Sequence, residues 1–390
     1  MAKLPDPYIR GARIQGTIVD MERPGVLPTH TVQRVETVII GGGAMGLATA
    51  WHLAKRGRQV TLLERSTVGN LTGASHGTTR NFNQAYSDPA YVAMLVEAQR
   101  LWRELEAESG VTLLDTVGIV NHGANPAFDA MHAALAAAGI PTEFLPPEEA
   151  TSRWPGIRFA TRVLYAPQSG RLRADAALAA LYSVATANGA DMRQNTRVTA
   201  IDVLDNERVR ITTEGSTFEA KRVIVTAGAW AANLLGGVIQ LPSLLVTQEQ
   251  PAHFAVHGTE PPWPGFNHNP TPGDPAYDYW LSPIYGMYTT EEGVKAGWHG
   301  VGPVTDPDAR TFTAEPAQLA ALQRYVREWL PGADADQLTE ISCTYTTSPD
   351  TNFVLKRVGP VTVGAGFSGH GFKFTPTVGR ILADLSEGRF

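Results

Sequence analysis

The sequence predicts a mixed α/β fold (α+β overall), in which a parallel βαβ unit is joined to a second unit built on an antiparallel sheet. Three observations predict it. The β-branched run Val35–Ile40 stops directly at glycines and is followed by an Ala- and Leu-rich helical stretch and another apolar run, the order of a βαβ unit. Between about residues 236 and 312 the texture changes to prolines, aromatics and short alternating runs, which suits antiparallel strands. The length, 390 residues with 43% hydrophobic content, is enough for two domains with sizeable cores.

Each element has a local reason. Val35–Ile40 reads as a buried strand because it is apolar, β-branched and bounded by glycine. Ala44–Arg56 follows as a helix with Lys55 and Arg56 in its last turn and Gly57 as a left-handed stop. Gln59–Glu64 is the second strand of the unit. Pro89–Glu108 reads as a long amphipathic helix, and Phe128–Ala138 and Ala174–Ala187 as two more. Arg222–Ala227 is a further buried strand that ends at Gly228. His253–His257, Tyr279–Tyr288 and Val294–Trp298 supply the alternating runs, and helix returns over Glu315–Trp329 until Pro331 and Gly332 end it.

Composition narrows the function. A formal net charge of −6 argues against nucleic-acid binding, which needs a basic face. The single cysteine, Cys343, cannot form an internal disulfide, so nothing points to an oxidising compartment. No window reaches the roughly 18 apolar residues of a membrane span, and the first 34 residues lack the apolar run of a signal peptide. The expectation is a cytoplasmic protein with a poorly ordered or surface-wrapping N-terminal extension over residues 1–34. No cluster suggests a metal. Of the 32 basic residues only six are lysine, at 3, 55, 221, 295, 356 and 373, so each lysine invites the question of why arginine would not serve.

Gly41-Gly-Gly-Ala-Met-Gly46 fits G-x-G-x-x-G between a strand and a helix, with Glu64 at the end of the next strand. In this Rossmann-type setting the glycines allow a tight turn, close approach to a pyrophosphate, and close helix–strand packing. The helix N-terminus offers Ala44 and Met45 amides to phosphate, and Glu64 would bind a ribose hydroxyl. FAD and NAD share this fingerprint. Two further glycine-rich crossings, Gly73–Arg80 and Val363–Lys373, together with Ala227-Gly-Ala-Trp230, suit an extended ligand such as FAD.

The set Ser75-His-Gly-Thr-Thr-Arg80, Gly293-Val-Lys-Ala-Gly-Trp-His299, Cys343-Thr-Tyr-Thr-Thr-Ser-Pro-Asp350 and Gly366-Phe-Ser-Gly-His-Gly-Phe-Lys373 resembles the monomeric sarcosine oxidase / N-methyltryptophan oxidase family, flavin amine oxidases of the glycine-oxidase and D-amino-acid-oxidase group. The match runs in order from about residue 36 to 385. The resemblance implies FAD linked covalently to Cys343 by a thioether, oxygen activation by Lys295, an amine-facing His299, and Arg80 with Thr79 on the far side of the flavin. It implies Lys373 for the substrate carboxylate and Tyr285 and Tyr345 as walls of the amine pocket. Arg65, Ser75, His76, Thr78, Val198, Gly228, Trp230, Gly366, Phe367, Gly369, His370 and Gly371 complete the implied cofactor set. It also implies a division into an FAD-binding domain (35–115, 163–235, 341–390) and a substrate domain (116–162, 236–340), with a monomer plausible and O₂ and a small amine as partners.

One position departs from the pattern. Where the family has an arginine three residues after Arg80, this chain has Asn83, and a neutral amide cannot make the two-pronged contact that arginine makes with a carboxylate. Sarcosine itself is therefore not the expected substrate. Aromatic density at Tyr277, Tyr279, Trp280, Tyr285, Tyr288 and Trp298 hints at a larger or cationic amine. Two other readings stay open: an amine dehydrogenase that passes electrons to a carrier, and a flavin-binding assembly subunit.

Overall fold

A computed structural model describes residues 32–257 and 263–389. Most of the expected N-terminal extension thus lies outside the described residues, which begin at Val32. Strand Val32–Ile40 starts three residues before the expected point because it pairs in parallel with the long strand Thr217–Val225, from Val32 opposite Thr217 to Ile40 opposite Val225.

Parallel pairing sets the first sheet. Val32–Ile40 also pairs with Val60–Leu63, which pairs with Asp191–Arg193, and Val361–Ala365 joins Thr217–Val225 on its other edge. Antiparallel strands Val198–Asp205, Arg208–Thr213 and Val354–Val358 complete eight strands. Helix Ala44–Lys55 packs on this sheet between Ala174–Ala187 and Thr375–Glu387. The approach is close: a Cβ at Gly379 would lie 2.6 Å from the Ala48 backbone. Ile39, Leu47, Trp51, Leu178, Leu181, Val378 and Leu382 fill the space between, all essentially unexposed, the arrangement expected of a sheet covered by helices.

The second sheet also has eight strands, in the order Ala333–Glu340, Ala252–Val256, Gly293–Trp298, Ile284–Thr289, Gly265–Asn269, Ile119–Gly123, Val163–Ala166 and Glu143–Leu145. All neighbours are antiparallel except Gly265–Asn269 with Ile119–Gly123. The alternating run Tyr279–Tyr288 becomes strand only from Ile284, because Pro283 interrupts it; just before the run, residues 275–277 form a 3₁₀ turn capped by the Asp274 carboxylate. Strand Val163–Ala166 belongs to this sheet, although the sequence reading groups it with the first unit. A small sheet of Thr79–Phe82, Gly170–Arg173 and Leu114–Asp115 lies beside the two.

Period-two alternation gives the second sheet two different faces. Val294, Ala296 and Trp298 pack with Phe254, Phe266 and Ile284 against Leu322, Tyr325, Val326 and Trp329 of helix Pro316–Trp329. The intervening residues point the other way. Register pairs Lys295 with Met287 and His253, Gly297 with Tyr285, Tyr285 with Asn267, and Asn267 with Asn121. These polar and aromatic groups line one cavity.

The fold carries a direct test. A Cβ at Gly46 would sit 1.9 Å from the Gly41 carbonyl oxygen, whereas one at Gly215 meets nothing within 4 Å. Gly46→Ala is expected to lose about 1–3 kcal/mol in urea unfolding and to lose flavin content. Gly215→Ala is expected to change neither.

Candidate active site

The cavity holds about 1770 Å³ and runs from the carboxyl ends of the first sheet across to the polar face of the second. Its first end is built by the glycine loop. Gly41 has φ of +105°, and a Cβ there would lie 2.5 Å from the Thr226 carbonyl oxygen, so only glycine fits. Helix Ala44–Lys55 begins at Gly43 without a side-chain cap, leaving its dipole end open to an anion. The Ala44 amide donates to Ser75 Oγ at 3.1 Å. Buried Glu64 accepts the Gly42 amide at 2.7 Å and the Ser66 amide at 2.9 Å. Arg65 stacks on Trp230 at 4.3 Å and pairs with Asp308, which also accepts the Trp230 indole N–H. Val198 and Gly228 border the same end.

The middle of the cavity is cationic. Arg80 donates to the carbonyls of Thr79, Ala74 and His76, so the loop that precedes it is folded around its guanidinium. Lys295 Nζ is buried and donates to the Thr79 carbonyl at 3.4 Å. Burial first, then Arg80, pulls this ammonium down to about 7. His76, similarly buried beside Arg80, is drawn down to about 4, and its Nε2 has no hydrogen-bond partner among the described residues. Thr78 donates to Glu292. Cys343 is part-exposed in the cavity wall, with Sγ 3.6 Å from the Ala74 carbonyl. Beside it Arg310 is held by the Thr72 carbonyl and Ser342 Oγ.

The far end carries the aromatic groups. Tyr345 Oη lies 3.4 Å from His299 Nδ1, and Tyr285 meets the same ring edge-on at 6.4 Å. Burial holds both phenols protonated and, with Lys373, keeps His299 neutral. Glycines make room for these rings: a Cβ at Gly369 would strike Tyr345 at 2.2 Å, and one at Gly297 would approach the Tyr285 hydroxyl to 2.9 Å. Lys373 sits in the 3₁₀ turn Phe372–Phe374, just before the helix that starts at Thr375. Burial lowers it to about 7. Its Nζ donates to Tyr86 Oη at 3.0 Å and to the His370 carbonyl at 2.8 Å. His370 Nε2 faces the Thr351 carbonyl, which can only accept, so Nδ1 is the acceptor from Tyr86 Oη at 3.1 Å. The donors therefore run in one direction, from Lys373 through Tyr86 and His370 to Thr351.

Most of the residues expected from the sequence converge here, including Gly43, Met45, Asn83, Gly366, Phe367 and Gly371. Two stand outside the lining. Gly46 packs the helix onto the loop, and Thr79 offers its carbonyl to Lys295 while its hydroxyl meets Thr289 at 2.7 Å. Sequence reasoning missed Tyr86, Asn121, His253, Asn267, Asp308 and Arg310. Asn121 and Asn267 each precede a histidine, in the strands Ile119–Gly123 and Gly265–Asn269, so no apolar alternation singled them out. Among the described residues no three His, Cys, Asp or Glu side chains gather to hold a metal, and no helix is long and apolar enough to cross a membrane.

The cavity suits FAD on its own geometry: a cradle that a Cβ would fill, an uncapped helix start, a pre-oriented carboxylate and room for a second ring system. Comparison with known proteins agrees. The family described as FAD dependent oxidoreductase matches residues 36–385. Monomeric sarcosine oxidase of Bacillus sp. (strain NS-129) is 30% identical over 368 residues, covering 90% of this chain and 92% of that one. N-methyl-L-tryptophan oxidase of Yersinia pestis (strain Pestoides F) is 28% identical, covering 91% and 95%. Among solved structures NikD, described as an unusual amino acid oxidase essential for nikkomycin biosynthesis, superposes with a TM-score of 0.80 at 26% identity over 91% of this chain and 94% of that one. The chain belongs to the FAD-dependent oxidoreductases, among the sarcosine oxidase-like amine oxidases.

Proposed function

We propose that this enzyme oxidises a secondary or N-alkyl amine to an imine, which water then converts to a carbonyl compound and an amine, with dioxygen reduced to hydrogen peroxide. The observation that carries the reading is the pair of buried lysines in one cavity, Lys295 and Lys373, which form no ion pair among the described residues. A buried, unpaired cation is costly, so each is set to meet negative charge that arrives from outside, reduced oxygen at Lys295 and an acyl oxygen at Lys373.

FAD held in this cavity would supply a two-electron acceptor for the C–H beside nitrogen and a reduced form able to react with dioxygen. This chain's residues do the rest. The glycine loop, Glu64, Ser75 and the Arg65–Trp230 stack hold the nucleotide end, and Cys343 is the candidate for a thioether link to the ring. Lys295 stabilises the negative charge that forms when oxygen takes up an electron, worth ~4 kcal/mol at a separation of ~4 Å and intermediate polarity. Lys373 meets an oxygen of the substrate's acyl group. Neutral His299 with Tyr285 and Tyr345 walls the amine and excludes water, which favours the uncharged nitrogen that must react. The first sheet with its helices forms the cofactor unit and the second sheet the substrate unit, with Val163–Ala166 assigned to the latter.

Lys295→Met is expected to slow reoxidation by air on the order of 10²-fold in stopped-flow mixing while leaving anaerobic reduction by substrate within a few-fold. Equal slowing of both half-reactions would remove the assigned role. Because Lys295 is drawn down to about 7 and its charged form is the working one, reoxidation should fall as the pH rises through that value. In Lys295→Met the profile should be slow and flat. After acid precipitation the yellow colour should stay with the wild-type pellet and move to the supernatant for Cys343→Ala.

A further inference from the structure

Where the family pattern has an arginine, this chain has built a group of three side-chain amides. Asn83 Nδ2 donates to Asn121 Oδ1 at 2.9 Å, and Asn267 Nδ2 donates to the same oxygen at 3.1 Å. The network itself orients all three. Asn121 Nδ2 donates to the Leu164 carbonyl at 3.3 Å, so its oxygen must face the other two. Asn83 Oδ1 accepts the Ala85 amide at 3.0 Å, so its nitrogen must face Asn121. Asn267 can meet that oxygen only through its own N–H. What remains toward the cavity, which all three residues line, is one N–H on Asn83, one N–H on Asn267, and Asn267 Oδ1, which makes no hydrogen bond among the described residues. This recess presents donors and an acceptor together and carries no charge.

We propose that the Asn83–Asn121–Asn267 recess binds an uncharged group that is both donor and acceptor, a primary carboxamide on the amine substrate, and thereby sets specificity against the free carboxylate. The proposal rests on the amine-oxidase reading above. A carboxamide can donate to Asn267 Oδ1 and accept from the free amide N–H groups. A carboxylate has no hydrogen to donate, so it would leave that oxygen unpaired and facing its own negative charge. Sites built to bond a polar hydrogen discriminate strongly against analogues that lack it.

The test compares sarcosine with sarcosinamide in anaerobic flavin reduction by the holoenzyme, alongside binding of 2-(methylthio)acetate and 2-(methylthio)acetamide, in which sulfur replaces the reactive nitrogen. The wild type should favour sarcosinamide in kcat/KM by tenfold or more, and Asn83→Arg should reverse that preference. Asn267→Ala should lower kcat/KM for the amide about tenfold and for the acid less than threefold. It serves as the second variant if Asn83→Arg fails to fold. A wild-type preference for sarcosine, or a ratio unchanged in the folded variants, overturns the recess while leaving the oxidase reading intact. If neither amine reduces the flavin but the thioether amide binds at least tenfold tighter than the thioether acid, the recess stands and the oxidase reading fails. Equal binding of the two thioethers without reduction overturns the recess as well.

Discussion

The register of one strand, Gly293–Trp298, is the constraint on which the site depends. Its side chains alternate between the helix Pro316–Trp329 and the cavity, and both faces are buried. A slip of one residue would thrust Lys295 among Tyr325 and Trp329 and turn Val294 and Trp298 toward the cavity. Two glycines hold the register. Gly293 has φ of +87°, and a Cβ there would lie 2.0 Å from the Phe254 carbonyl oxygen; a Cβ at Gly286 would meet Phe266 at the same distance. No other residue fits either place, so the lysine is aimed by backbone geometry toward its partner, the Thr79 carbonyl.

Charge is distributed along the cavity in a way that follows its chemistry. The nucleotide end holds Glu64 and Asp308, both already engaged with amides or with Arg65 and Trp230. The middle and far end hold Arg80, Lys295 and Lys373, each bonded to neutral oxygen atoms. Histidines 76, 253 and 299 lie among them and are kept neutral mainly by burial and secondarily by those cations. Glu292, bonded to Thr78 and 3.2 Å from His253, is a carboxylate set among these cations.

Much of this was legible in the residues, for physical reasons. The glycine fingerprint is a steric requirement written in consecutive positions, so it could be read without any contacts. The helix Ala44–Lys55 and the strand Gly293–Trp298 follow from periodicity and flanking glycine in the same way. What could not be read depends on chain crossings. Tyr86 meets Lys373 across 287 positions and Asn121 meets Asn267 across 146, and no local pattern encodes such a meeting. The extra three residues of the first strand belong to this class as well, because they are ordered by pairing with Thr217–Val225.

The hydrogen-bonded chain from Lys373 through Tyr86 and His370 to the Thr351 carbonyl has a consequence of its own. Every member donates outward and the terminus is a backbone oxygen with no hydrogen to return. A proton wire must be able to reverse its dipoles, and this one ends where reversal is impossible. Burial also draws His370 down to about 3, so it does not pick up a proton in passing near neutrality. The chain is therefore a brace and not a conduit: it fixes the direction of one ammonium.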